Sequence, residues 1–296
     1  MQPSFTLPSF AKVNLHLRVL GKRSDGFHEL CTVFQTISLH DSISFGASEA
    51  LELTCSDRAI PTDGRNLIIR AADALRQRYS VEAGARIFLE KRIPSPGGLG
   101  GGSSNAAVVL MGLQRLWNID VPAADLQAIS AELGSDVPFF LHGGTAVATG
   151  RGEVIEPVDD KLAEFMIIVT PDDAVSTADA FAGIAAPSLT NTDSNRILRV
   201  CRSEADSLDL RHTVLINDFE SSVFTAHPEI GEVKETLLAL GAVNALLCGS
   251  GASVFGIFDK EETRQTAIKA LDNKSTWRTF AVAAISRSEY REAFRR

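Results

Sequence analysis

The amino-acid sequence predicts an α+β protein of two domains, and three observations carry that expectation. The chain has 296 residues, which at roughly 150 residues per domain gives room for two domains with sizeable cores. Its first half mixes period-two runs with amphipathic helices around a single glycine tract. Its last part runs strand, helix, strand, strand, helix, strand, the split βαββαβ order of ferredoxin-like domains. The boundary is expected near Val158, within Glu156-Pro157-Val158-Asp159-Asp160, giving domains 1–158 and 159–296.

The first strand is expected from Phe10 onward. Val13, Leu15, Leu17 and Val19 alternate with Lys12, Asn14, His16 and Arg18, which puts the two sets on opposite faces. Arg23-Ser24-Asp25-Gly26 reads as a turn, followed by strands at Thr32–Leu39, Ser42–Phe45 and Leu51–Thr54. Asn66 stands where a helix N-cap belongs, ahead of apolar positions at helical spacing over Leu67–Tyr79. Ala85–Arg92 reads as a strand leading into the glycine tract, and Ser103 or Ser104 as the cap of a helix reaching Trp117. A helix over Pro122–Leu133 stops at Gly134, Ser135-Asp136 opens a segment ending at Gly144, and Thr145–Ala148 pairs with Val154–Val158. The second half predicts a strand at Phe165–Thr170, a short helix capped at Ser176 and a loop over 185–193. Glu232–Leu240, Asn244–Leu247, Ser253–Phe258, Glu261–Leu271 and Thr279–Ile285 complete the βαββαβ pattern.

Composition narrows the function. The chain is 45% hydrophobic and 22% charged, the balance of a packed globular protein. Its formal net charge of -8 offers no basic footprint for nucleic acid, so any phosphate must be gripped locally. The four cysteines, at 31, 55, 201 and 248, have no CxxC spacing, which argues for reduced thiols in a cytoplasmic protein. No apolar run of bilayer length and no leader-like start is visible, so neither a membrane anchor nor export is expected.

The strongest chemical signal is Pro94-Ser95-Pro96-Gly97-Gly98-Leu99-Gly100-Gly101-Gly102-Ser103-Ser104. Five glycines in six positions let the backbone wrap a ligand closely, and the amides of the following helix present a positive dipole end. The ligand implied is a polyphosphate. No Gly-Lys-Ser/Thr follows, which excludes a Walker A loop, and serine at 103 breaks the dinucleotide fingerprint GxGxxG.

This segment resembles the phosphate-binding motif of the GHMP kinases. Ala11-Lys12-Val13-Asn14-Leu15 resembles the first motif of that superfamily, and Leu247-Cys248-Gly249-Ser250-Gly251-Ala252-Ser253-Val254-Phe255 resembles its third. Within the superfamily, Asp25-Gly26-Phe27-His28-Glu29-Leu30, Asn66-Leu67-Ile68, Gly134 to Phe140 and Val175 to Phe181 are similar to blocks of the branch that phosphorylates a cytidine diphosphate ester of methylerythritol. Phe27 stands where tyrosine is usual, Cys248 where threonine or serine is usual, and Pro96 where a small residue is frequent.

The resemblance implies a two-domain GHMP kinase fold, an N-terminal nucleotide-binding domain and a C-terminal ferredoxin-like one, with the reaction in the cleft between them. ATP would lie on Pro94, Gly97 to Gly102 with Leu99, Ser103, Ser104 and Asn66, accompanied by Mg2+ held mainly by phosphate oxygens, with Ser104 within reach. Asp136 would be the general base, or the group that orients the hydroxyl, and the alternative for it is a helix cap. Lys12 would keep Asp136 charged and offset charge on the transferring phosphoryl; its alternative is a solvated strand lysine. Asn14, Phe27, His28, Thr177, Phe181, Gly249, Ser250 and Gly251 would bind the small-molecule substrate, His28 at the cytosine edge and the aromatic rings on its face. Another sugar or mevalonate-like alcohol is the competing substrate, and a nucleotide-binding protein without chemistry the competing class.

Overall fold

The computed structural model describes residues 4–184, 186–189 and 193–295. Two sheets organise it, and they change over between Pro157 and Phe165. The first holds β1 (Ser4–Lys22), β2 (His28–Ser48), β3 (Leu51–Cys55), β4 (Gly84–Glu90), β5 (Thr145–Thr149) and β6 (Val154–Pro157), in the order β3-β4-β2-β5-β6 with β1 on β2. β3 and β4 run parallel and the other pairs antiparallel. Helices α1 (Leu67–Tyr79), α2 (Gly101–Trp117) and α3 (Ala123–Leu133) join this sheet in one core, where Ile68, Leu75, Val108, Val109, Leu110 and Leu113 are fully enclosed. Each such aliphatic side chain contributes about 1.5–3 kcal/mol by leaving water.

The second sheet is antiparallel throughout. Its strands β7 (Phe165–Pro171), β8 (Asn244–Leu247), β9 (Val254–Phe258) and β10 (Trp277–Val282) lie in the order β10-β7-β9-β8. With the helices numbered on along the chain, α4 (Thr177–Ala182), α5 (Ser194–Ser207) and α6 (Glu220–Ala226) precede α7 (Pro228–Ala239) and α8 (Glu261–Leu271). α7 and α8 pack on this sheet through Ile230, Val233, Leu237, Ala267 and Leu271, completing the expected ferredoxin-like unit. α9 (Arg287–Ala293) returns to the first half, where the buried Tyr290 donates its hydroxyl proton to the Phe140 carbonyl. Among the described residues no helix is long and apolar enough to cross a membrane.

Several local expectations are corrected. The strands expected at 32–39 and 42–45 are one strand, because β2 runs on against β1 past a register shift at Phe10/Ala11. α2 starts at Gly101, and its N-cap is Gly100 at φ +69 with no side-chain cap, so neither Ser103 nor Ser104 caps it. α5 and α6 lie outside the expected elements. Of the loop expected over 185–193, residues 185 and 190–192 lie outside the described residues. The expectation of four reduced thiols holds for Cys55 and Cys248, whereas Cys31 and Cys201 form a disulfide where α5 crosses β2.

The correction with most consequence lies in β1. A bulge between Asn14 and His16 shifts the pairing by one residue, and such a slip exchanges the two faces of a strand. Leu17 therefore joins Lys12 and Asn14 on the cleft side. His16 is buried instead, in the electrostatic range of Glu204 of α5, and burial pulls its pKa below the usual value. Lys12 and Asn14 are not on a half-solvated face at all: both are buried.

Close packing makes Gly112 of α2 the sharpest test of the first core. A methyl group there would stand 2.4 Å from the Phe45 ring. Gly112→Ala is expected to lower stability by about 1–3 kcal/mol. Gly102→Ala, whose methyl meets only Leu67 at 3.8 Å, should leave stability equal or raised by up to about 1 kcal/mol. Thermal or urea unfolding of the two variants checks this.

Candidate active site

β1, β2 and the segment after α3 converge on one point. Lys12 Nζ donates to Asn14 Oδ1 at 2.8 Å and stands 3.4 Å from Asp136 Oδ2. The ammonium also sits 5.2 Å from the centre of the Phe34 ring. Asn14 is oriented in turn, because its amide donates to Thr32 Oγ1, whose hydroxyl donates to the His16 carbonyl. The Lys12 side chain is 4% exposed and that of Asp136 32%, so the pair has a buried cation and an accessible carboxylate. The one-turn helix Pro138–Leu141 after Asp136 has Val137 as its N-cap and no side-chain cap, which removes the capping alternative for this carboxylate.

The glycine tract borders the pair. Lys12 N donates to the Leu99 carbonyl at 3.0 Å, tying β1 to the loop. Gly98 and Gly100 adopt φ of +70 and +69, and a methyl group at Gly98 would lie 1.9 Å from the Cys248 carbonyl oxygen. The glycine loops of the two halves thus touch backbone to backbone, and Ser253 N donates to the Gly97 carbonyl at 3.3 Å. Asn217 holds the second loop from behind, donating to the carbonyls of Leu247 and Gly249. Burial pushes the Cys248 thiol up to about 12, so it stays protonated and takes no part as a nucleophile.

Two cavities meet across these loops. The larger, about 330 Å³, is lined by Lys12, Asn14, Thr32, Phe34, Asp136, Arg151, Phe181, Phe219 and Gly249 among others. The smaller, about 220 Å³, is lined by Leu67, Pro94 to Ser103, Val175 and Gly251. Gly98, Gly100, Thr177 and Ser250 belong to both, and the Thr177 and Ser250 hydroxyls are 3.0 Å apart. The smaller cavity thus holds the phosphate loop, and the larger holds the Lys12–Asp136 pair.

Four expected site residues lie off both walls. Ser104 is fully buried and hydrogen-bonded to Ser9, which also contacts Asn105, so its hydroxyl faces the core and is out of reach of a metal in the cleft. Asn66 uses its side chain on α1, accepting from Ile68 N and donating to the Pro61 carbonyl. His28 stacks on Phe181 at 5.0 Å and 14°, and Phe181 meets Phe219 edge-on, which brings His28 to the rim. Phe27 is 52% exposed beneath the Arg151 guanidinium, 4.9 Å from its ring centre. Arg151 and Asn217 are lining and supporting residues that the sequence pattern does not single out. Among the described residues no cluster of three or more His, Cys, Asp or Glu could hold a metal.

An uncapped helix N-terminus under a glycine loop stands here beside a buried lysine and an accessible aspartate, the donors and acceptor that phosphoryl transfer requires. Comparison with known families agrees: the GHMP kinases N terminal domain matches residues 66–144, and the GHMP kinases C terminal domain matches 190–275. A 4-diphosphocytidyl-2-C-methyl-D-erythritol kinase of Chlorobium phaeobacteroides (strain BS1) is 40% identical over 89% of this chain and 92% of its own. The kinase of the same name from Syntrophotalea carbinolica is 39% identical over 96% and 99%. The crystal structure of a 4-(cytidine 5'-diphospho)-2C-methyl-D-erythritol kinase superposes with TM-score 0.76 at 33% identity, covering 95% of this chain and 99% of that one. The homoserine kinase of Cytophaga hutchinsonii, at TM-score 0.68 and 18% identity, shares the fold. The chain is a GHMP kinase in class. Within that superfamily it belongs to the 4-diphosphocytidyl-2-C-methyl-D-erythritol kinase family.

The backbone contact between the loops is open to a direct test. Gly98→Ala forces the 97–100 segment away from Cys248, and a displacement of about 1 Å can cost about 100-fold in rate. A loss of that order in kcat/KM for the nucleotide is expected, read by steady-state kinetics on variant protein with native circular dichroism.

Proposed function

We propose that the protein transfers the γ-phosphoryl group of ATP to the 2-hydroxyl of 4-diphosphocytidyl-2-C-methyl-D-erythritol. The observation that carries this reading is the Lys12–Asp136 contact of 3.4 Å, standing between a phosphate-type loop and an aromatic pair. The order of those three features matches the order of phosphate, hydroxyl and base that such a reaction must align.

Asp136 accepts the proton of the attacking hydroxyl, and Lys12 stabilises the charge that builds on the phosphoryl oxygens. Asn14 holds the ammonium in place by accepting its hydrogen bond at 2.8 Å. The amides at the start of α2, which no side chain caps, fit the polyphosphate. The divalent ion that accompanies ATP, Mg2+ in our reading, would be carried mainly by phosphate oxygens and water. Of the two serines expected in the ATP site, Ser103 lines the smaller cavity, which supports it as the one beside the phosphates.

At the other end, the stacked His28 and Phe181 rings offer a flat surface for cytosine, with Phe27 and Arg151 at the mouth. Thr177, Gly249, Ser250 and Gly251 close the middle of the cleft. The domains are taken as 1–158 and 159–296, supported by the change of sheet between Pro157 and Phe165. The protein works on a small molecule in the cytoplasm, where ATP is plentiful, and its net charge of -8 speaks against nucleic acid. Both residues of the Cys31–Cys201 disulfide are enclosed, which slows attack by thiol reductants. Neighbours such as the Methanococcus jannaschii mevalonate kinase share only the fold, at 15% identity, so nothing favours their substrates here.

Two experiments test this. Asp136→Asn should lower kcat by about 100- to 10,000-fold while both substrates still bind. Lys12→Met should also lower kcat, and the double variant should lose much less than the product of the single losses. Near-native turnover by Asp136→Asn would remove the proton-accepting role. Separately, His28→Ala or Phe181→Ala should raise KM for the cytidyl ester by about tenfold or more, since stacking on one base is worth about 1–3 kcal/mol, with little change in KM for ATP. Equal turnover of methylerythritol phosphate or mevalonate by the unaltered protein would overturn base recognition.

A further inference from the structure

We propose that Glu29 is a positioning residue for the substrate end of the cleft, a strut that holds the 23–27 turn and the 150–152 turn in one register. What the cleft takes rests on the function proposed above; the strut itself rests on geometry. Glu29 stands near the start of β2, 6% exposed, and belongs to neither cavity wall. Its Oε1 accepts from Gly150 N at 2.8 Å, and its Oε2 accepts from Arg23 Nη1 at 2.7 Å. A carboxylate so enclosed is costly unless its oxygens are paired, and here each oxygen is paired to a different turn.

Each turn leads to the site. Arg23 N donates to the Phe27 carbonyl at 2.7 Å, Arg23 Nε reaches Asp25 Oδ2 at 3.1 Å, and Asp25 Oδ1 accepts from Phe27 N at 3.1 Å. The Arg23 side chain and the Phe27 amide keep the Asp25 carboxyl below its usual range, so this small network stays charged. It presents Phe27 and, next along the chain, His28. On the other side, Leu30 N donates to the Gly150 carbonyl at 2.7 Å, which together with the Glu29 contact grips Gly150 at both its amide and its carbonyl. That turn carries Arg151 over the Phe27 ring, and a methyl group at Gly152 would stand 3.8 Å from Asp136 Oδ1. Glu29 thereby couples the aromatic rim to the mouth and to the flank of the candidate base without touching substrate.

The role demands a carboxylate. Both contacts need an acceptor, and a glutamine has one acceptor oxygen and an NH2 group that would face a donor at the other contact. Glu29→Gln is therefore expected to release one turn while keeping size and burial. In the full-length protein, KM for the cytidyl ester should rise about tenfold, the scale of one charge-assisted hydrogen bond, with KM for ATP unchanged and the melting temperature lowered by no more than about ten degrees. Arg23→Gln should act in the same direction, and the double variant should be no worse than the more damaging single one. An equal rise in both KM values would reduce Glu29 to a general structural residue and overturn the proposal.

A second readout is independent of the substrate. Amide hydrogen exchange on the free protein should quicken in Glu29→Gln at Gly150 or within 23–27, and stay native over 97–104. Native exchange at both turns would overturn the strut. Failure of the unaltered protein to phosphorylate the cytidyl ester would instead overturn the functional reading, and the exchange result would still decide the strut.

Discussion

An ammonium group 4% exposed is the constraint around which the first half of the molecule is arranged. Burying an unpaired charge costs far more than a small protein's net stability can absorb, so Lys12 must be surrounded by partners wherever the fold places it. Asn14 supplies an oxygen at 2.8 Å, Asp136 a carboxylate at 3.4 Å and Phe34 an aromatic face. Those partners come from β1 itself, from the next strand β2, and from the segment after α3, far along the chain. Positioning the lysine therefore requires the sheet and its helices to be complete, and the same requirement leaves Asp136 accessible on the open side. In the function proposed, stability and chemistry depend on one contact set.

The second dependence is on absent side chains. Gly98 lies so near the Cys248 carbonyl that no Cβ can intervene, and Asn217 presses the partner loop forward through two carbonyl contacts. The cleft is thereby narrowed at its middle by backbone contact, with the Thr177 and Ser250 hydroxyls beside it, and in the function proposed this separates a phosphate side from an acceptor side. A glycine-rich loop in isolation would be too mobile to define a distance to Lys12. The Lys12 N to Leu99 carbonyl bond and the Ser253 to Gly97 contact remove that freedom. Entropy lost by the glycines on ordering is offset by the burial on both sides of the loop.

The glycine loop, Lys12 with Asn14, and Asp136, which the fold brings to one cleft, could be singled out because each sits in a contiguous motif. The βαββαβ half was legible for a similar reason, with strand and helix periods alternating over Asn244–Leu271 as the structure has them. What failed was information carried by register. Alternation along β1 sets Leu17 opposite Lys12 and Asn14 and puts His16 beside them, and the bulge after Asn14 exchanges the two, leaving Leu17 at the cleft wall and His16 buried. Ser104 follows the glycines as a ligand would, yet a helix beginning at Gly101 turns it toward Ser9. α5 left a readable trace in Ile197, Cys201 and Ala205 at four-residue spacing, hidden by the charged residues between them. Arg151 and Asn217 are single residues on turns, where only the folded chain shows what they face.

Charge explains why such residues matter. The chain carries a formal -8 and, in the function proposed, joins two polyanions, so its long-range field opposes both encounters. Screening at physiological ionic strength confines that opposition to within about 8 Å of the surface. Inside the cleft the balance inverts. Lys12 and Arg151 line the larger cavity and the helix amides of α2 stand at the smaller, while among the described residues Asp136 is the one carboxylate on either wall. An anion that enters meets fixed donors in a medium of low dielectric, where each is worth more than in water. An acidic protein can therefore bind phosphates tightly provided its few cations are immobilised, and the hydrogen bonds that hold Lys12 from the side and Gly150 from below serve that immobilisation.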